Sequence, residues 1–406
     1  MKLSDFQKLH SIPAPQPLLF HTQRLEVALL SDLQSPKTLR QLQSWDQLSY
    51  AGSPDQASAE IETLTLNVTQ ICNLACSYCA AGGDGTYGDP QKKMQTEKIL
   101  LGLQAQLQHK PLSSTLKINF IGGEPLIYPE GIRQVCRYLR EIRPDMKFDF
   151  WVNTNGSLLD SARLDLLWTE ALGVRVSIDG PPEINDLARA QKGGGPITQK
   201  ILEGLQNMLA RRELLKGFKV SSVFGRWNQN AERTYDFLQQ FQPDAFDFTW
   251  DLGLQEPNLL RDYLASLRRL GQRLANQGEE ALLKLSVFAD VFDRLDLGIP
   301  RQRHCEAGWS HAAISSGGEV ASCTWWIGRP ERNLGPLKTY QSPQKDVSSI
   351  EVKKCHSCWA RHICGGGCAV AHSLGTQTDH EKDPLYCVHQ KELIELGIEL
   401  YAQLRS

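Results

Sequence analysis

The chain has 406 residues, with 44 Lys and Arg against 46 Asp and Glu and a net charge of −2. That length allows two or three domains with a sizeable buried core, and the charge balance excludes a general binder of nucleic acid or membrane surfaces. The opening residues, Met1 to Phe6, lack the apolar core of a signal peptide, and no apolar run long enough to span a bilayer occurs, so the chain reads as soluble and cytoplasmic. Its 11 cysteines are then expected to serve metals or catalysis rather than disulfides. Cys72, Cys76 and Cys79 sit together, Cys136 stands alone, and seven fall between Cys305 and Cys387.

In chain order, residues 1–58 form an N-terminal cap segment, with a strand over 21–30 and a helix over 36–47, packed on the main domain. From residue 62 short apolar runs alternate with helical stretches. Strands are predicted over 62–68, 116–121, 147–152, 174–178, 219–224 and 245–250, and helices over 96–108, 131–142, 161–171, 197–212 and 231–240. This rhythm gives an α/β class and a parallel sheet, curved or partly closed by right-handed crossovers, whose chemistry belongs at the C-terminal strand ends. The barrel is bounded at 59–255. A bridging helical region at 256–300 contains an amphipathic helix over 258–276, a cysteine-rich domain covers 301–390, and a C-terminal helix covers 391–406.

Directly after the first strand, Cys72, Cys76 and Cys79 read C-x3-C-x2-C, which can hold three irons of a cubane cluster and leave the fourth iron without a protein ligand. Gly122-Gly123-Glu124-Pro125 follows the second strand. Paired glycines admit close backbone approach and Glu124 could hold an ammonium group, although such a string also serves as a plain turn. Asn153-Thr154-Asn155-Gly156 and Ser177-Ile178-Asp179-Gly180 put small polar groups at the next two strand ends, and Arg189 could pair with a carboxylate. Later, Gly317-Gly318 marks a hairpin that places Cys323 at a strand end. Cys355, Cys358, Cys364 and Cys368 are spaced C-x2-C-x5-C-x3-C, a pattern that suits zinc as well as iron–sulfur clusters. Cys136 reads as a small buried hydrophobe, and Trp325-Trp326 as either a pocket wall or core.

Taken in this order, the motifs resemble those of the radical S-adenosylmethionine (SAM) enzymes, and the late cysteines resemble the SPASM extension of that superfamily, over residues 63–390. The resemblance implies a partial (β/α)6 TIM-type barrel with a C-terminal SPASM domain, SAM, and three 4Fe–4S clusters. Cys72, Cys76 and Cys79 would ligate the SAM cluster. Tyr78, Gly122, Gly123, Glu124, Asn155, Ser177 and Arg189 would contact SAM, with Gly123 and Glu124 at its amine and Tyr78 beside its adenine. Cys305, Cys323 and Cys368 would hold one auxiliary cluster, and Cys355, Cys358, Cys364 and Cys387 the other. The first set lacks a fourth cysteine, and His311 stands where some members carry one. An open iron, ligation by His311 and a ligand from elsewhere remain as options.

Members with this extension modify peptides through a 5′-deoxyadenosyl radical. The Gly-rich segment 80–88, ending in Tyr87-Gly88, resembles those of maturases for ribosomally made peptides, and among them tyramine-excising spliceases, which leave an α-keto-β-amino acid at a Tyr-Gly site. Crosslinking to a cyclophane or thioether, epimerisation and formylglycine formation are alternatives within the family. An iron–sulfur electron-transfer protein and a zinc-binding interaction module are alternatives outside it. Asp179 and Tyr87 are the candidate proton-transfer groups. Expected partners are a precursor peptide, a separate small leader-recognition protein, because residues 1–58 are short for a winged helix, and an electron donor such as a flavodoxin or ferredoxin.

Overall fold

A computed structural model describes residues 6–9, 18–29, 35–37, 40, 60–79, 93–108, 115–341 and 348–405. Three short strands, β1 (Phe6–Leu9), β2 (Leu18–His21) and β3 (Glu26–Leu29), form an antiparallel N-terminal sheet. The predicted strand over 21–30 is thus two strands meeting at a turn. Of the predicted helix over 36–47, most lies outside the described residues.

The barrel strands are β4 (Thr63–Thr69), β5 (Thr115–Gly122), β6 (Lys147–Thr154), β7 (Gly173–Ser177), β8 (Gly217–Phe224) and β9 (Ala245–Trp250), all parallel and paired in sequence order. Helices α1 (Thr96–Leu107), α2 (Pro129–Ile142), α3 (Ser161–Thr169), α4 (Pro182–Ala188), α5 (Thr198–Leu209) and α6 (Ala231–Leu238) fill the crossovers. All six predicted strands and five predicted helices are present. Helix α4 was not predicted; at seven residues it is too short for an apolar period to show, and only its prolines at the N-terminus mark it.

Burial alternates along these strands. In β5, Leu116, Ile118 and Phe120 are buried beneath the helices, while Lys117, Asn119 and Ile121 face inward and are half-buried. A parallel sheet covered by protein on both faces reads as continuous apolar runs. The alternation here therefore marks a hollow barrel with a polar inner face. Its lower end is closed by Trp151, whose indole Nε1 donates to Asp149 Oδ1 at 2.7 Å. The ring lies over Gly173, where a Cβ would overlap it, and beside Gly217, where a Cβ would stand 3.1 Å away. Lys219 Nζ lies 4.9 Å from the ring centre.

Beyond the barrel come α7 (Pro257–Ala275), α8 (Glu279–Leu283) and α9 (Ser286–Leu297), then β10 (His311–Ile314), β11 (Glu319–Ala321) and β12 (Asn333–Pro336). Strands β10 and β11 form the expected hairpin, but β10 also pairs in parallel with β4, so one nine-stranded sheet runs from the barrel into the cysteine-rich part. Of the short helices α10 (Ser349–Val352), α11 (Arg361–Cys364) and α12 (Ala369–Thr376), α11 ends at Cys364 and α12 is preceded directly by Cys368, while Cys355 and Cys358 lie in the turns between α10 and α11. The final helix α13 (Pro384–Arg405) begins earlier than the predicted boundary at 391 and contains Cys387. The N-terminal sheet packs away from the barrel core. Leu18, Phe20 and Leu25 join Val291 and Leu295 of α9, Ala360 and Ile363, and Ile394 and Ile398 of α13 in a separate core, because that is where apolar partners are left uncovered.

Filling the space that Gly173 leaves for Trp151 costs overpacking energy. We expect Gly173→Ala to lower stability by about 1–3 kcal/mol in denaturant titration, and a Trp151→Leu partner substitution to recover part of that loss.

Candidate functional site

The cysteine loop leaves β4 and is stitched to the segment after α4. Ala75 N donates to Ala190 O at 2.8 Å and Ser77 N to Ala188 O at 3.0 Å. On its other side the loop presses on Gly123, where a Cβ would overlap the Ile71 carbonyl and lie 2.8 Å from Cys72 N. The paired glycines are thus required by the close approach of two loops. Cys72 Sγ accepts from Leu74 N at 3.4 Å and from Asn155 Nδ2 at 3.8 Å. Burial pushes the Cys76 thiol up to about 11, with Arg189 opposing the rise and the nearby Cys79 and Cys72 adding to it; Cys72 is likewise raised by burial and, less, by Cys79.

Asp179, at the end of β7, is fully buried and accepts four hydrogen bonds. Arg189 Nε and Tyr78 Oη donate to its Oδ2 at 3.0 and 2.7 Å; Arg189 Nη2 and Val223 N donate to Oδ1 at 3.0 and 2.9 Å. With these four donors bound, Asp179 does not itself line the cavity beside it. Asp179 holds Tyr78 and Arg189 in place. Arg189 stays charged because Asp179 outweighs its desolvation. Tyr78 stacks on Trp227 with centroids 4.7 Å apart, and Arg189 Cζ lies 5.3 Å from the Tyr78 ring centre. The second candidate, Tyr87, and the Gly-rich segment 80–88 lie outside the described residues.

Glu124 is also fully buried. Its Oε1 accepts from Leu126 N at 3.0 Å and Thr154 Oγ1 at 2.8 Å, and its Oε2 from Asn155 N at 2.7 Å. The side chain therefore ties the loop after β5 to the loop after β6. Gly122 and Gly123, not Glu124, reach the cavity. Burial raises the Glu124 carboxyl to about 7 against the three donors that favour its charge. Asn155 extends the tie, with Nδ2 donating to Asn73 Oδ1 at 3.0 Å and Oδ1 accepting from Ser157 Oγ at 2.6 Å.

These residues surround a cavity of 540 Å³ at the C-terminal end and inside of the barrel. Cys72, Cys76, Cys79, Tyr78, Gly122, Gly123, Asn155, Ser177 and Arg189 all line it, as do His311, Thr324 and Trp325 from the cysteine-rich part. His311 Nε2 is 2.9 Å from Thr65 Oγ1, and burial, reinforced by Lys117, holds its imidazole below the usual range, so it is neutral at pH 7. The two neighbouring tryptophans divide their roles: Trp325 lines the cavity, whereas Trp326 is buried in a small core with Ala313, Ala321, Ile327 and Val370. Tyr78 aside, the aromatic neighbour Trp227 and the hydrogen-bonding residues Asn73, Thr154 and Ser157 escaped sequence reasoning as site residues. Thr154 and Ser157 border the Asn155-Gly156 motif and Asn73 follows Cys72, so their position was the available signal; Trp227 carried none.

The late thiols lie near one another in two sets. Charge on Cys305, Cys323 and Cys368 is mutually felt, as is charge among Cys355, Cys358, Cys364 and Cys387. The second four line one cavity of 470 Å³. Among the described residues no trio of His, Cys, Asp or Glu converges on a single metal ion. Tyr386 is wedged between the groups, accepting from Cys368 N at 3.2 Å. Cys136 is buried in α2 among apolar neighbours, as expected of a small hydrophobe.

An open parallel barrel bearing three thiols on its C-terminal rim, beside glycine backbone and a buried Arg, defines an enzyme site built around an iron–sulfur centre. The model of the Radical SAM superfamily matches residues 66–237, a radical SAM domain within this chain, and such a domain implies a 4Fe–4S cluster and SAM. It is 28% identical to an uncharacterised protein of Methanocaldococcus jannaschii over 44% of this chain and 56% of that protein. It is 22% identical to the serine-type anaerobic sulfatase-maturating enzyme of Klebsiella aerogenes, over 79% of this chain and 82% of the enzyme. The fold is similar to that of anSMEcpe with bound AdoMet and the Cp18Cys peptide (TM-score 0.70, 19% identity, 84% of this chain and 98% of that one). It is also similar to Streptococcus suis SuiB bound to the precursor peptide SuiA (TM-score 0.53, 14% identity, 94% and 98%). Among the described residues no helix is long and apolar enough to cross a membrane.

Two outcomes follow from the buried carboxylates. Asp179→Ala leaves Arg189 buried and unpaired, and we expect a loss of about 3–5 kcal/mol in chemical denaturation; unchanged stability with lost turnover would assign Asp179 to the chemistry. For Glu124 the folded pKa lies above the unfolded value, so its contribution is full below the unfolded pKa and lost as pH rises through about 7. Thermal unfolding between pH 5 and 8 should show stability declining with pH, and Glu124→Gln should flatten that slope.

Proposed function

We propose that this chain is a maturase of a ribosomally made precursor peptide, and that it excises tyramine at a Tyr-Gly site to leave an α-keto-β-amino acid. The observation that carries this reading is the shared cavity: the thiol loop and the cysteine-rich part, through Thr324, Trp325 and His311, face the same 540 Å³ of space. A substrate there touches both. The bound peptides named for anSMEcpe and SuiB, whose folds are similar, support a peptide as that substrate.

In this reading Cys72, Cys76 and Cys79 hold the cluster that binds SAM. Backbone at Gly122 and Gly123 receives the SAM amine, while Asn155, Ser177 and Arg189 face its carboxylate and ribose, and Tyr78, braced on Trp227, flanks the adenine. When bound, the reduced cluster and SAM supply a 5′-deoxyadenosyl radical that takes hydrogen from unactivated carbon. The chain positions the target carbon and excludes water from it. The cysteine-rich part is a SPASM domain with two further 4Fe–4S clusters, one on Cys305, Cys323 and Cys368 and one on Cys355, Cys358, Cys364 and Cys387. His311 is engaged with Thr65, so the first of these sets has no fourth protein ligand from that position. A separate small protein presents the leader of the peptide, and a flavodoxin or ferredoxin delivers electrons.

Anaerobic co-expression with the precursor peptide encoded beside this chain, followed by accurate mass measurement, tests the reaction. A loss equal to tyramine is expected. A loss of two hydrogens replaces splicing by crosslinking or side-chain oxidation, and an unchanged mass with deuterium uptake replaces it by epimerisation. Cys76→Ala should abolish 5′-deoxyadenosine release and remove about four of roughly twelve irons, leaving the late clusters assembled; retained SAM cleavage overturns the loop assignment.

A further inference from the structure

We propose that the inner floor of the central cavity is a recognition pocket for the phenol of a substrate tyrosine, with Asn153 and Arg175 as the specificity-determining residues; this rests on the peptide-maturase reading above. The cavity has two chemically distinct ends. Its outer end carries the thiol loop and the residues placed around SAM. Its inner end is lined by Asn119, Asn153, Arg175, Ser221 and His311, one from each of β5, β6, β7, β8 and β10. Trp250 and Trp325 line the same cavity, so an occupant meets flat apolar surface along its length and hydrogen-bonding groups at its tip.

The floor is built to hydrogen-bond something. Asn153 Oδ1 is buried and has no partner, an arrangement that costs free energy unless a donor arrives. Arg175 is held by Asp247, its Nε 2.6 Å from Oδ2, an ion pair that engages one edge of the guanidinium, while the pairing of Asn153 with Arg175 between β6 and β7 sets the two side chains next to each other. Arg175 keeps 30% of its side chain exposed, and that exposure is to the cavity it lines.

The balance of charge selects a neutral tip. Asp247 compensates Arg175 at the level of the floor, and one layer below, Asp149 pairs with Lys216 while Lys117 and Lys219 lie over the Trp151 ring. His311 is neutral. A hydroxyl satisfies both unfilled roles at once, donating to Asn153 Oδ1 and accepting from Arg175. A phenol brings a hydroxyl on a flat apolar ring, and a phenylalanine ring would leave Asn153 Oδ1 without a donor. Sites that hydrogen-bond a substrate hydroxyl discriminate strongly against the analogue that lacks it. Trp151 closes the barrel below, so the side chain can enter only from the strand C-terminal ends.

The probe is a pair of blocked dipeptides, N-acetyl-Tyr-Gly-amide and N-acetyl-Phe-Gly-amide, titrated calorimetrically into the anaerobic, cluster-loaded enzyme with SAM present. We expect the tyrosine probe to bind at least tenfold more tightly. Asn153→Leu and Arg175→Met should each reduce that ratio to below threefold by weakening the tyrosine probe and leaving the phenylalanine probe unchanged. Ser221→Ala, a smaller change on the same floor, guards against a fold defect in either variant, since it should lower the ratio without altering the melting temperature. Equal binding of the two probes to the unaltered enzyme, or an undiminished ratio in the variants, overturns the pocket while the maturase reading stands if the precursor peptide still changes mass. Absence of probe binding together with an unchanged precursor mass overturns both.

Discussion

The buried pair of Asp179 and Arg189 holds the thiol loop over the barrel. A buried ion pair contributes little net stability, because desolvation consumes most of the attraction; its strength lies in the penalty for separating the partners. Here that penalty enforces position. Arg189 belongs to the segment whose backbone is stitched to Ala75 and Ser77, and Asp179 ends β7. Tyr78, from within the thiol loop, closes the triangle at 2.7 Å. Any displacement of the loop away from the strand ends strips donors from a carboxylate that has no access to water.

Glu124 acts in the same way on the other flank, joining the loops after β5 and β6 through three donors. The two carboxylates differ in one respect. Asp179 faces a cation, whereas Glu124 is opposed only by neutral donors, which is why burial wins and its carboxyl rises to about 7. The cavity between these two anchors is polar because the barrel's apolar packing lies outside it, beneath the helices. Leu116, Ile118 and Phe120 of β5 supply that outer core, and Lys117 and Asn119, on the opposite face, are left for the lumen.

The strands, the hairpin and the thiol loop were legible in sequence because each has a local signature: alternation, a Gly-Gly turn, or close cysteine spacing. What a glutamate or aspartate does was not. As residue types at strand ends, Glu124 reads as a ligand-holding carboxylate and Asp179 as a proton-transfer group; the three and four hydrogen bonds that they respectively accept are invisible there, since the donors Tyr78, Thr154, Asn155, Arg189 and Val223 are brought to them by the fold. Helix α4 escaped for a different reason, being too short to carry a period, and with it went the anchoring of the loop by Ala188 and Ala190. Where the N-terminal sheet packs was not legible, because its few apolar residues say that they must be covered but not by what.

The parallel pairing of β10 with β4 makes the cysteine-rich part an extension of the barrel rather than a neighbour on a linker. Four residue pairs, His311 with Thr63 through Ile314 with Leu66, fix the register. A slip of one residue would turn Ala313 out of its core and swing His311 away from Thr65, so the register is specified by packing on both faces. Because the hairpin continues directly to Cys323 and Trp325, their position over the cavity is inherited from the sheet. Rigid-body motion between the two parts would break that ladder, and opening of the cavity to a peptide therefore falls to the segments at its mouth, residues 249–252 and 324–325, rather than to a hinge between domains.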